Sequence, residues 1–137
     1  VSVGISIMSN MNYDAIKAHY AGSDAKDLAA MMAPIAESTA WTEMAGFPYA
    51  GTYVGPDAVI AGVFKRIGED WDGYTFTLER LVDGGGTIVG IGTYSGTYRK
   101  TGKPMTARVV HVWEMRDGKA VSFEQFTDTR LVAAAMA

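Results

Sequence analysis

Hydrophobic and polar positions fall into two regimes along the chain, a helical one up to about residue 70 and an alternating one beyond it. Tyr13, Ile16 and Tyr20 follow the polar Asn10 and Asn12 at helical spacing, and Gly22 is placed to stop that helix. Ser23 or Asp24 can cap a second helix, with Leu28, Met31 and Met32 as its apolar stripe and Pro34 at its end. Residues 38–43 read as a short strand, followed by an irregular, aromatic-rich loop over 45–51. Gly55-Pro56-Asp57 then opens a third helix with proline at its first position, and Val59 or Ile60, Val63, Phe64 and Ile67 supply its apolar stripe.

From Trp71 the period becomes two, and four strands follow in a row. Tyr74, Phe76, Leu78, Arg80 and Val82 share one face of the first, and Asp83-Gly84-Gly85-Gly86 turns the chain. The next strand, 87–98, carries Gly90, Gly92 and Gly96, a spacing that predicts strong bending or a face against which something packs closely. A turn over 99–104 leads to a strand over 105–115, and Asp117-Gly118 signals a hairpin into 121–128. Helices followed by such a meander predict an α+β fold, a cone-shaped curved antiparallel sheet packed with about three N-terminal helices around an internal pocket. Residues 1–11 are expected to be a frayed or disordered leader, 12–130 a single domain and 131–137 a C-terminal tail.

Strand parity gives the expected pocket its walls. Met105, Ala107, Val109, His111, Trp113 and Met115 share the apolar face of one strand, and Val121, Phe123 and Gln125 share a face of the next. A three-residue loop, Arg116-Asp117-Gly118, sets odd residues opposite odd ones and joins the two apolar sides; a two-residue loop brings Glu124 opposite His111. The three-residue loop is therefore expected, with His111 and Gln125 on the concave surface. There His111 is either a core histidine satisfied by a neighbour or a ligand-facing group. Pattern alone makes Glu43, at the end of its short strand, a surface carboxylate. Asp128, near the end of the last strand, suits a turn or cap at least as well as chemistry, and His19 is expected to be solvated.

Totals narrow the classes. A length of 137 residues suits one domain with a real core, and a net charge of −3 with 12 dispersed basic residues lacks the footprint of a nucleic-acid binder. With no cysteine there are no disulfides, thiolate metal sites or cysteine nucleophiles. No apolar run approaches the roughly 18 residues of a membrane span, the first seven residues lack the charged start of a secretory signal, and a cytoplasmic location is expected. Two distant histidines without paired spacing give no support to a metal site. Gly84-Gly85-Gly86 precedes a strand, not a helix, so it is a hairpin turn and no phosphate loop.

The order of these elements, with Trp41-Thr42-Glu43-Met44-Ala45-Gly46, Gly51-Thr52-Tyr53-Val54-Gly55, His111-Val112-Trp113, Asp117-Gly118-Lys119 and Asp128-Thr129, resembles the nuclear transport factor 2-like superfamily. The resemblance, to its SnoaL-like and ketosteroid isomerase-like branch, runs from about residue 13 to 129. It implies a cystatin-like roll. The place of the isomerases' general base falls on Glu43, with Gly46 after it, and the place of the acid that donates to the developing oxyanion falls on His111. Tyr13 or Tyr20 stands for the isomerases' oxyanion tyrosine, and Gln125 or Glu124 for the acid of the polyketide cyclases. The superfamily hosts many chemistries and non-catalytic proteins, so fold alone does not assign function.

The leading expectation is cofactor-free acid–base chemistry, of isomerase or cyclase type, on a small apolar carbonyl compound: Glu43 takes a proton and His111 donates to the oxygen. Trp41, Tyr53, Trp113, Phe123 and Gln125 are the expected substrate-binding walls, with Asp128 and Tyr20 as further candidates. The second expectation is a binding protein that holds a small hydrophobic ligand without turnover, and the third a structural dimerisation module. The outer sheet face, where Val110, Val112 and Phe126 lie beside Arg108, Glu114 and Glu124, is mixed enough to suit a homodimer through the sheet.

Overall fold

In the computed structural model, residues 2–137 are described, with side chains from residue 10 onward. Of the expected leader, residue 1 and the side chains of 2–9 lie outside the described residues. Helices α1 (Ser2–Asp24) and α2 (Leu28–Met32) precede strands β1 (Ile35–Glu43) and β2 (Gly51–Val54). Helix α3 (Pro56–Val59), a π-helical stretch (Ile60–Phe64) and α4 (Lys65–Asp70) then run on without a break. Strands β3 (Trp71–Gly84), β4 (Thr87–Tyr98), β5 (Pro104–Arg116) and β6 (Lys119–Thr127) follow, and α5 (Thr129–Met136) ends the chain.

All six strands belong to one sheet in the order β2-β1-β6-β5-β4-β3. Neighbours are antiparallel except β1 and β6, so the last strand enters the middle of the sheet parallel to the first. Every second residue of β5 from Met105 to Met115 is buried, as the alternation requires, and these side chains join one core with Ile16 and Tyr20 of α1 and Val59 and Val63 of the third helical segment. Trp71, Trp113, Tyr49 and Phe123 are its largest enclosed members. Truncating any one to alanine costs about 3–5 kcal/mol on general grounds.

The β5–β6 hairpin corrects the expected loop while keeping its consequence. Asp117 (φ 51°) and Gly118 (φ 78°) form a two-residue turn, and Arg116 pairs with Lys119. Taken alone, that turn sets Glu124 opposite His111. A bulge intervenes: Met115 pairs with Ala120 but Glu114 with Ser122, leaving Val121 as the extra residue. Parity is thereby restored, with Trp113 opposite Phe123 and His111 opposite Gln125.

Four further expectations are revised. Helix α1 runs past Gly22, where a Cβ would stand 2.8 Å from that of Ala30, so this glycine serves close packing of α2. The cap of α2 is Asp27, which accepts the Ala30 N–H at 3.1 Å, rather than Ser23 or Asp24. In β3 the register shifts between Leu78 and Arg80, and beyond that bulge Leu81 packs against the core in place of Arg80. The expected tail is mostly helix α5, capped by Asp128 and anchored by buried Val132 and Ala135. Thr101 Oγ1 holds its C-terminal end by donating to the Ala135 carbonyl at 2.6 Å.

Candidate functional site

Between α1, the third helical segment and the inward face of the sheet lies a cavity of about 450 Å³. Its apolar walls come from Val63, Phe64 and Ile67 of the helical segment, Phe76 of β3, and Trp41 and Phe123. The last two are neighbours across the β1–β6 seam, their rings stacked with centroids 3.7 Å apart. Ser23, Lys26, Gly68 and Arg99 rim the more exposed end. A space of this size suits a small organic molecule.

His111 projects inward from β5 between two tyrosines. Its Nδ1 is 2.8 Å from the Tyr20 hydroxyl and its Nε2 2.8 Å from the Tyr94 hydroxyl. Tyr20 also accepts from Trp113 Nε1 at 3.0 Å, and Tyr94 accepts from Gln125 Nε2 at 2.9 Å. Gln125 Oε1 in turn accepts the Met44 N–H at 3.4 Å, which sets the orientation of the amide. Burial, reinforced by nearby His19, lowers the His111 pKa to about 3, so the ring is neutral at pH 7. A neutral imidazole donates one hydrogen and accepts one. One tyrosine therefore donates to His111, and the other receives from it and keeps its own O–H for a different partner. Gly90 makes this contact possible: it pairs with His111 on β4, and a Cβ there would collide with the Tyr20 hydroxyl.

Glu43 ends β1 on the same face as Thr39 and Trp41, all three buried. It is only 4% exposed and lines the cavity, and its Oε2 is enclosed without a hydrogen-bond partner. Desolvation raises its pKa to about 8. The Trp41 indole opposes this rise electrostatically, but its geometry falls short of a hydrogen bond, and Nε1 too is enclosed without a partner. The Tyr74 hydroxyl is the third enclosed atom of this kind, and burial, followed by the Glu43 charge, raises its pKa. Tyr94 is raised by burial, Tyr74 and then Glu43. At neutral pH the Glu43 side of the cavity is thus furnished with O–H groups.

The structure brings Glu43, His111, Tyr20, Trp41 and Phe123 together around the cavity. Trp113 and Gln125 stand behind that wall, fully enclosed, and act on it by donating to Tyr20 and Tyr94. Tyr53 is not part of the lining: its ring packs on Gly62 and its hydroxyl donates to the Tyr49 carbonyl at 2.8 Å. Asp128 is the cap of α5, accepting the Leu131 N–H at 3.2 Å. His19, expected in solvent, is 4% exposed and lines the cavity. Tyr74 and Tyr94 were absent from the sequence candidates, although both sit on the inward parity of their strands. Among the described residues no group of three or more His, Cys, Asp or Glu side chains is placed to hold a metal ion, and no helix is long and apolar enough to cross a membrane.

A curved sheet closed by helices around an apolar, titratable cavity defines a small-molecule pocket protein of the nuclear transport factor 2-like superfamily. Within it, the chain belongs to the SnoaL-like domain family, whose match spans residues 16–123. A nuclear transport factor 2-like protein from Burkholderia thailandensis is 59% identical, with a TM-score of 0.90 over 92% of this chain and 97% of that one. TerC, crystallised with polyporic acid, is 26% identical, with a TM-score of 0.83 over 92% of this chain and 98% of that one. Patulin synthesis protein F of Aspergillus clavatus is 33% identical over 89 residues, 60% of this chain but 42% of the length of that curated relative.

Proposed function

We propose that the cavity binds a small apolar carbonyl compound and carries out cofactor-free acid–base chemistry on it, of the isomerase or cyclase kind, with Glu43 exchanging the proton. The observation that carries this reading is the unpartnered Glu43 carboxyl, enclosed in an apolar cavity with its pKa near 8. About a tenth of such a group is ionised at pH 7, and the ionised tenth is a far stronger base than a solvated glutamate. Both nitrogens of His111 are occupied, so the hydrogen offered to a substrate oxygen comes from a tyrosine that His111 orients, a change from the expectation that His111 itself donates. The crystallisation of TerC with polyporic acid, and the name of patulin synthesis protein F, support a small organic ligand.

Deuterium incorporation into 2-tetralone, a ketone with acidic C–H bonds, tests the reading by NMR in heavy water. The native protein is expected to accelerate exchange, with a rate that rises with pH and levels off above about 8 as Glu43 ionises. Glu43→Gln should lose 10²–10⁴ of that acceleration. Exchange at the same rate in Glu43→Gln would sink the assignment. One observation favours a purely ligand-binding role: at pH 7 both Glu43 and His111 are predominantly neutral. In that case 2-tetralone binds saturably and no exchange occurs.

A further inference from the structure

His19 takes no part in the chemistry above, yet it is buried against the cavity. It lies on α1 next to Tyr20, with its ring held edge-on to Trp113 at 4.8 Å and to Tyr20 at 4.9 Å. Its Nδ1 lies 2.7 Å from the carbonyl oxygen of Met31. A carbonyl can only accept, so Nδ1 carries a hydrogen. In the neutral ring Nε2 is then a bare acceptor. Among the described residues nothing donates to it, and it is not one of the three enclosed unpartnered side-chain atoms, so it keeps some accessible surface on a residue that lines the cavity. Burial lowers the pKa of His19 to about 4, which keeps the ring in this form at neutral pH. The backbone thus fixes the tautomer and leaves Nε2 the free acceptor of a residue lining a cavity whose other polar groups are mainly O–H donors.

We propose that His19 is a ligand-binding residue whose Nε2 accepts the hydrogen of a ligand hydroxyl, and that the cavity selects compounds bearing an enol or phenol O–H on an apolar frame. This rests on the reading of the cavity as a small-molecule site and narrows its ligand class. Enols and phenols are strong donors with flat apolar bodies, which suits an acceptor set among Trp41, Phe123 and Phe76. A carbonyl or ether oxygen facing Nε2 sets lone pair against lone pair.

Fluorescence titration at pH 7 with 1-naphthol and with 1-methoxynaphthalene separates the possibilities. The native protein is expected to bind the naphthol about tenfold more tightly, the worth of one net hydrogen bond. His19→Phe should lose that preference while keeping its affinity for the ether. Equal binding of the two probes by the native protein, or an undiminished preference in His19→Phe, overturns the proposal and leaves the pocket reading intact. Failure of both probes to bind overturns both. A measurement on the native chain guards against a variant that does not fold: the nitrogen-15 resonance of His19 Nε2 should move on addition of 1-naphthol and stay in place with 1-methoxynaphthalene. Identical responses to the two probes overturn the proposal.

Discussion

A Cβ at Gly90 would come within 2.9 Å of the Tyr20 ring carbon that carries the hydroxyl, and closer still to the hydroxyl itself. That oxygen is held by Trp113 and His111, and the ring is enclosed, so it has nowhere to retreat. Gly90→Ala is expected to cost about 1–3 kcal/mol in a urea titration and to break the Tyr20–His111 contact, visible as a shift of the His111 ring resonances. The role of this glycine was half legible: even spacing with Gly92 and Gly96 pointed to close packing, but not to Tyr20 as its partner. The burial of His19 was also within reach. Asn12, Ile16, His19 and Tyr20 form a stripe at i, i+4, i+7 and i+8, and all four are buried. Polar identity hid two of them, because each finds its satisfaction far along the chain or in the next helix: Asn12 in Gly85 and Gly118, and His19 in Met31. For Glu43, pattern indicated solvent and family resemblance indicated the cavity. Only the second anticipated its burial, since a lone carboxylate at a strand end carries no local mark of what covers it.

Val121 shows how an element can be right for the wrong reason. Alternation alone located all four strands of the meander, and the demand that apolar faces coincide put His111 and Gln125 on the same concave surface. The means differ: the turn is the two-residue form that Asp-Gly favours, and the bulge at Val121 repairs the register. Bulges interrupt the period of two by one residue, so neither this one nor that near Glu79 could be read from alternation. Deleting Val121 removes only the extra residue, so Met115–Ala120 and Glu114–Ser122 become consecutive pairs; His111 should stay opposite Gln125, with its ring resonances in place. Val121→Ala, at a side chain 47% exposed, should stay within about 0.5 kcal/mol. Helix α5 went unread because its Ala-rich run follows directly on a strand; Asp128-Thr129 is nevertheless an ordinary start signal.

For the whole molecule, three buried titratable groups set an acid–base profile of stability. His19 and His111 have folded pKa values near 4 and 3, below 6.5, so the unfolded chain binds their protons first and stability falls as pH drops below about 6.5. Glu43 has a folded value near 8, above 4.5, so the folded chain holds its proton and stability falls as pH rises from about 4.5 to 8. Between 4.5 and 6.5 two histidines outweigh one glutamate; above 6.5 the glutamate acts alone. Thermal unfolding monitored by circular dichroism should therefore be highest near pH 6.5, with slopes of about 1.4 kcal/mol per pH unit on either side. Glu43→Gln should flatten the alkaline limb and, with the opposing glutamate gone, steepen the acid limb between about pH 4.5 and 6.5 roughly twofold; an unaltered alkaline limb would refute this account.

The position of β6 also bears on how the molecule assembles. Thr39 of β1 donates to the carbonyl of Ala120 across 81 residues of chain, and Trp41 meets Phe123 along the same seam. Before β6 is in place, β1 and β2 form a separate ribbon and β3, β4 and β5 a separate meander. Joining them requires closing a long loop, which costs entropy before any contact repays it and slows folding. During synthesis on a ribosome, the two halves wait for the last strand, their apolar faces dependent on one another for shelter. The cavity, with Glu43 on one half and His111 on the other, comes into being only at that closing step.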